Sequence, residues 1–142
     1  MKRLLVRMAL LLAFVHLFTL TSYAETLKGK IGTSSKWGSG WIILDKSVDF
    51  KRGDKIKLLL GGTAKKVLVR FLANGETADK PIGIEGGVIN VPKNKIVLIT
   101  ISKEYKNVKQ LSVHGGRNPW GLYPLGDNNG TATIMRVDYK AQ

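Results

Sequence analysis

The side chains best suited to chemistry are concentrated in one glycine-flanked stretch, residues 115–130. It contains two large aromatic residues, Trp120 and Tyr123, whose flat rings suit stacking on the apolar C–H faces of sugars. Its polar and basic side chains, which suit hydroxyl or anionic groups, are Arg117, Asn118, Asp127, Asn128 and Asn129. This combination predicts a saccharide-binding loop. The alternative is that Trp120 and Tyr123 only fix a long loop to the underlying sheet.

Two other tryptophans lie earlier in the chain. Trp37, between Lys36 and Gly38, is predicted to be exposed and completes the set of candidate ligand-binding residues. Trp41 precedes the apolar run 42–44 and is predicted to belong to the core.

The sequence gives little support to catalytic chemistry. There is no cysteine, which excludes thiol nucleophiles, thiolate zinc sites and disulfides. His114, followed by two glycines, is similar to the oxyanion loop of lipases, but no Gly-x-Ser-x-Gly motif accompanies it. No spacing ties two carboxylates together as a glycosidase pair. We therefore predict no catalytic residue, and a small hydrolase remains as a minor alternative.

The first 24 residues have the three parts of a secretory signal peptide. A basic start, residues 1–7, precedes the apolar run 8–20, and Ser22 and Ala24 supply the small residues of a cleavage site. A membrane-spanning helix needs about 20 apolar residues, and this run is shorter. We predict cleavage after Ala24 and export to the bacterial periplasm or out of the cell, with no membrane span in residues 25–142.

The chain is strongly basic. Its 23 Lys and Arg residues outnumber its 10 Asp and Glu residues, and loss of the three basic residues of the leader lowers the net charge from +13 to +10. Four basic residues, Lys55, Lys57, Lys66 and Arg70, fall on the polar faces of predicted strands. Such a face suits anionic glycan or a charged envelope surface. Export and the excess of lysine over arginine argue against nucleic acid as the partner.

Hydrophobic residues alternate with a period of two in the exported part of the chain, which predicts short β-strands rather than helices. The predicted strands are 27–31, 40–45, 55–60, 66–71, 87–91, 96–101, 110–114 and 133–138. Glycine-rich turns separate them, and 96–101 is apolar on both faces, as in a central strand. Residues 32–40, 73–86 and 115–130 are predicted loops. About eight short strands in one domain predict an all-β antiparallel sandwich of the jelly-roll type.

Two motifs resemble those of galactose-binding-like β-sandwiches. Residues 50–58 are similar to the F-x-x-G-D-x-I-x-L start of an inner strand, and residues 125–134 are similar to the D-N-x-G close of such modules. Bacterial galactose lectins of the PA-I type share both features. The resemblance implies calcium or sugar ligation by Asp127, Asn128 and Asn129; apart from it, no metal or cofactor is predicted.

Together these patterns predict an exported, non-catalytic binding module that recognises a carbohydrate or an anionic cell-envelope glycan through residues 115–130. The alternative is a small basic envelope protein that docks by charge on an acidic protein or lipid surface. The oligomeric state is left open.

Overall fold

The computed structural model describes residues 25–73, 83–116 and 130–142. The predicted signal peptide therefore lies outside the described residues, as does most of the predicted binding loop. The described part of the chain forms nine strands: β1 (Glu25–Thr26), β2 (Gly29–Ser34), β3 (Ser39–Phe50), β4 (Lys55–Gly61), β5 (Lys66–Ala73), β6 (Gly83–Asn90), β7 (Ile96–Thr100), β8 (Tyr105–His114) and β9 (Thr133–Lys140).

The strands form two antiparallel sheets. The four-stranded sheet has the order β1-β9-β4-β7, and the five-stranded sheet has the order β2-β3-β8-β5-β6. Without β2, this is the four-plus-four strand order of a jelly roll. The predicted all-β sandwich is confirmed, with nine strands instead of about eight. Within the three described ranges there is no helix, so none that is able to span a membrane.

The core lies between the two sheets. It consists of the apolar residues whose period-two alternation is visible in the sequence. Ile56 and Leu58 of β4, and Val69 and Phe71 of β5, point inward and are almost completely buried. The Phe50 ring stacks on that of Phe71 at 5.3 Å between centroids. Burial of side chains of this size contributes about 1.5–3 kcal/mol each, so the two sheets are held together mainly by hydrophobic packing.

Residues 96–101 do not form a central strand. Strand β7 is the edge strand of the four-stranded sheet, and its middle residue Leu98 is 67% exposed. A run of apolar residues indicates that both faces of a strand are apolar, but it does not show which strands pair with it. The prediction was therefore wrong about position, although it was right that a strand is present.

The predicted loop 32–40 is mostly regular structure. Strands β2 and β3 pair from Gly29 opposite Leu44 to Ser34 opposite Ser39, which leaves only the four residues 35–38 as a turn. The second predicted loop, 73–86, is replaced at its described end by β6, which begins at Gly83. Both segments are rich in glycine and polar residues, so they lack the alternation of apolar residues that predicts a strand. Edge strands nevertheless accept such residues.

Candidate functional site

The candidate site begins at the tight β2–β3 turn, which presents Trp37 to solvent. The Gly38 amide donates to the Ser35 carbonyl oxygen at 3.3 Å, and Gly38 has a φ of +61°, a left-handed conformation that glycine adopts without steric cost. Trp37 is 36% exposed, which confirms the predicted exposure. The Lys36 ammonium lies 5.0 Å from the centroid of this ring, so a cation and an apolar plane share one surface.

The same turn contacts described residues on both sides of the segment 117–129. The Gly38 carbonyl oxygen accepts hydrogen bonds from the Gly115 amide at 3.1 Å and from the Ala132 amide at 3.0 Å. The packing here is close, since a Cβ atom on Gly38 would lie 2.8 Å from the Gly130 carbonyl oxygen and 2.9 Å from the Cα atom of Gly116. Gly116 and Gly130 are the described residues that flank the segment, so both of its attachment points adjoin the turn that carries Trp37.

Most of the sequence-predicted site residues lie outside the described residues. These are Arg117, Asn118, Trp120, Tyr123, Asp127, Asn128 and Asn129, and their predicted roles in sugar or calcium binding stay predictions. Of the predicted ligand-binding set, Trp37 alone falls within the described ranges. What the structure adds is that its turn lies beside the two flanking glycines, which come 79 and 93 residues after Trp37 in the chain.

Trp41 belongs to the outer face of the five-stranded sheet and not to the core. It pairs with Ser112 of β8, and Ser112 pairs with Arg70 of β5, so the three side chains form one row across the outer face. Trp41 is half-buried, and its indole covers Gly32 of the edge strand, where a side chain would collide with the ring. The core prediction was wrong because Trp41 alternates with Gly40 and Ile42, which are the inward residues.

Arg70 and His114 form a buried basic pair on this face. Arg70 is 3% exposed and His114 is 1% exposed. The prediction that Arg70 contributes to an exposed basic face was therefore wrong. Burial, and after it the nearby Arg70 charge, lowers the pKa of His114 to about 4, so the imidazole is neutral at pH 7. A ring this deeply buried is not presented to a substrate from solvent. Leu68 and Leu72 alternate with Arg70 on the same face, a signal of burial that the sequence did contain.

A second buried polar cluster lies near the start of β8 and was missed in the sequence. The Tyr105 hydroxyl donates to the Glu85 carboxylate at 2.6 Å, and the Ser102 hydroxyl donates to the same oxygen at 2.9 Å. Burial, followed by the negative charge and hydrogen bond of Glu85, raises the pKa of Tyr105. Glu85 is 17 and 20 residues away from these partners, so no local spacing pattern would reveal the cluster. Its hydrogen bonds link β6 to the segment before β8, which is a structural role.

Asp54 hydrogen-bonds backbone amides in its turn, as is typical of a carboxylate that follows a glycine there. Its carboxylate accepts from the Lys51 amide at 2.8 Å, from the Gln142 amide at 3.0 Å and from the Tyr139 hydroxyl at 2.7 Å. Burial by itself raises the pKa of Asp54, but these hydrogen bonds and the Lys51 charge outweigh it, and the pKa lies below its ordinary value. The carboxylate thus anchors the end of β9 to the β3–β4 turn.

Metal-ligating side chains do not cluster in the part of the chain that the structure describes: no three His, Asp or Glu residues there are placed to hold an ion. The fold and the site define a jelly-roll β-sandwich with an exposed tryptophan at one end.

No protein-family model, no curated protein and no solved structure shows significant similarity to this chain.

Proposed function

We propose that the protein is an exported, non-catalytic binding module for a carbohydrate or an anionic cell-envelope glycan. The binding site would lie at the end of the sandwich that carries Trp37. The observation that supports this most directly is the pair of hydrogen bonds to the Gly38 carbonyl oxygen, which join the Trp37 turn to Gly115 and Ala132. They bring the backbone of the turn that carries Trp37 next to the residues that flank 117–129, a segment that contains Trp120, Tyr123 and three asparagines.

The chemistry of this corner suits a sugar. The face of an indole is apolar and electron-rich, and it stacks on the C–H face of a pyranose, while amide and carboxylate groups satisfy the hydroxyls around it. The Lys36 ammonium beside the ring would add affinity for a carboxylated, sulfated or phosphorylated glycan. In this proposal Trp120 and Tyr123 supply further stacking surfaces, and Arg117, Asn118, Asp127, Asn128 and Asn129 supply the polar contacts.

The test is a glycan array of neutral and anionic saccharides, followed by titration calorimetry on the best ligand. Trp37→Ala should weaken binding at least tenfold, because aromatic anchors dominate such contacts, whereas Trp37→Phe should retain most of the affinity. Ile31→Ala removes an exposed apolar residue elsewhere on the five-stranded sheet and serves as the matched control. Trp120→Ala tests the predicted loop in the same assay.

Two results would overturn the proposal. One is the absence of binding to any neutral or anionic glycan on the array. The other is binding that neither Trp37→Ala nor Trp120→Ala changes by more than twofold, since the site would then lie elsewhere. If high salt abolishes binding that neither tryptophan variant changes, the second result would indicate charge attraction to the whole surface.

A further inference from the structure

The outer face of the four-stranded sheet carries an exposed apolar patch. It consists of four residues on three adjacent strands and is called the Leu98 patch here: Leu59, Ile96, Leu98 and Met135. Leu98 is 67% exposed, Met135 is 58% exposed and Leu59 is 38% exposed. Isolated apolar residues are common on protein surfaces, but a contiguous group of them indicates a surface that contacts something other than water.

The strand register brings these residues together. Leu59 lies opposite Ile96 in the β4–β7 ladder, and Leu98 is two residues further along the same face of β7. The β4–β9 ladder is irregular beyond Leu59, where Met135 is the unpaired extra residue. The Met135 side chain covers Gly61, with its Sδ atom 3.3 Å from where a Cβ on that glycine would lie. The irregularity therefore adds a fourth apolar side chain to the outer face.

Lysines border the Leu98 patch at both ends. On one side, Lys55 and Lys140 are register partners on the outer face, and Lys57 lies between them and the patch, opposite Leu98. On the other side, the Lys95 ammonium donates to the Gly62 carbonyl oxygen at 3.1 Å. The one carboxylate that the register places among them, Asp138, is 2.8 Å from Arg136. The described outer face is therefore an apolar centre with a cationic border.

We propose that the Leu98 patch docks the protein on the surface of a bilayer that contains anionic phospholipid. Apolar side chains would enter the boundary between head groups and acyl chains, while the lysine stems extend so that their ammonium groups meet phosphate. The charge of the border is complementary to such a surface and opposes a second copy, which would face lysines with lysines. Protein interfaces are depleted in lysine, whereas Lys55, Lys57 and Lys140 lie on this face.

The test compares sedimentation with vesicles of phosphatidylcholine and with vesicles that also contain phosphatidylglycerol at one part in four. The protein is produced from the full-length gene and recovered after export, with the same N terminus for every variant. We expect binding only to the anionic vesicles, weakened at least tenfold by the double variant Leu98→Gln/Met135→Gln. Ile31→Gln/Val88→Gln removes two exposed apolar residues from the five-stranded sheet and should change binding less than twofold.

A second double variant, with its own control, tests the cationic border. Lys55→Gln/Lys140→Gln should weaken binding by about fivefold per lysine removed, the effect of a basic residue close to an anionic membrane. Lys30→Gln/Lys46→Gln lowers the net charge equally on the other sheet and should have a smaller effect. Because the chain contains no cysteine, Leu98→Cys and Ile31→Cys each accept a single environment-sensitive fluorophore. Its emission should shift to shorter wavelength with anionic vesicles at position 98 only.

Three outcomes would contradict the proposal. The first is no binding to anionic vesicles, and the second is an equal loss in each variant pair and its control, which would indicate attraction by overall charge. The third is concentration-dependent dimerisation that Leu98→Gln/Met135→Gln abolishes, which would make a second copy the occupant. Trp37→Ala should leave vesicle binding unchanged, so this proposal and the saccharide proposal fail independently.

Discussion

The carbonyl oxygen of Gly38 accepts a 3.1 Å hydrogen bond from the amide of Gly115, across more than half of the chain. This contact joins the tip of the β2–β3 hairpin to the residue that follows β8. The Ala132 amide donates to the same oxygen just before β9, so one carbonyl group holds the sequence on both sides of residues 117–129. The turn that carries Trp37 is thereby kept next to the described residues on both sides of the predicted binding loop.

The first prediction tests how closely this corner is packed. Gly38→Ala should lower the free energy of unfolding by about 2–4 kcal/mol, because the substitution combines left-handed backbone strain with contacts that are too short. Gly87→Ala is the matched control: Gly87 has a φ of +60°, and a Cβ atom there would meet nothing within 4 Å. It should cost only the strain, about 1–2 kcal/mol. Chemical denaturation measures both values, and equal costs would contradict the packing at Gly38.

The second prediction concerns Asp54. Asp54→Asn should destabilise the protein by about 1–3 kcal/mol, because a buried charge-assisted network loses its anion. Since hydrogen bonds hold the pKa of Asp54 below its ordinary value, the ionised carboxylate stabilises the fold at neutral pH. That contribution is present above the unfolded-state pKa of about 3.9 and is lost as the pH falls through the folded-state value.

Urea denaturation between pH 7 and pH 3 measures this dependence. Asp49 is the matched control, because it is exposed and accepts a hydrogen bond from the Asn107 amide at 2.8 Å. Asp49→Asn should cost less than about 1 kcal/mol. A larger cost for Asp49→Asn than for Asp54→Asn would refute the assigned role of Asp54.

The third prediction is a pH dependence that originates in His114. Its folded-state pKa of about 4 lies below the ordinary value of 6.5, so between these values the unfolded chain binds a proton that the folded protein does not. Stability should therefore be fully present above about pH 6.5 and should fall by up to about 1.4 kcal/mol per pH unit toward pH 4. The cause is desolvation of the imidazolium, with Arg70 as a second unfavourable charge.

Unfolding curves at pH 7.5, 6 and 5 would measure this slope, and His114→Gln should remove it whatever its effect on stability at pH 7.5. His114 is the single histidine in residues 25–142, so its ring resonances in an NMR titration identify it without further assignment. A ring that titrates near 6.5 in the folded protein, or an unchanged slope in His114→Gln, would show that the imidazole is solvated.

The alternation of apolar residues is sufficient to determine the fold class. Periods of two over 55–60 and 66–71 specify one buried face for each strand, and Ile56, Leu58, Val69 and Phe71 are indeed in the core. Asp54 was also predictable, because a carboxylate after Gly53 in a turn reaches an amide three residues away. These signals are local, in that each depends on neighbours within a few residues.

The tertiary structure decided which strands pair with each other and which faces of the sheets are covered. The sequence around 96–101 did not show that β7 would lie at an edge, and Leu68 and Leu72 on either side of Arg70 indicated burial of that face without showing what covers it. Glu85 with Tyr105, and Gly38 with Gly115, are contacts between residues distant in sequence. The period-two pattern around a residue predicts which face of the strand it occupies. Its neighbours across the sheet depend on the fold of the whole chain, which minimises exposed apolar surface and unpaired polar groups. The sequence alone therefore determined a sandwich with an exposed Trp37, and only the assembled sheets placed the turn that carries Trp37 beside the described residues that flank 117–129.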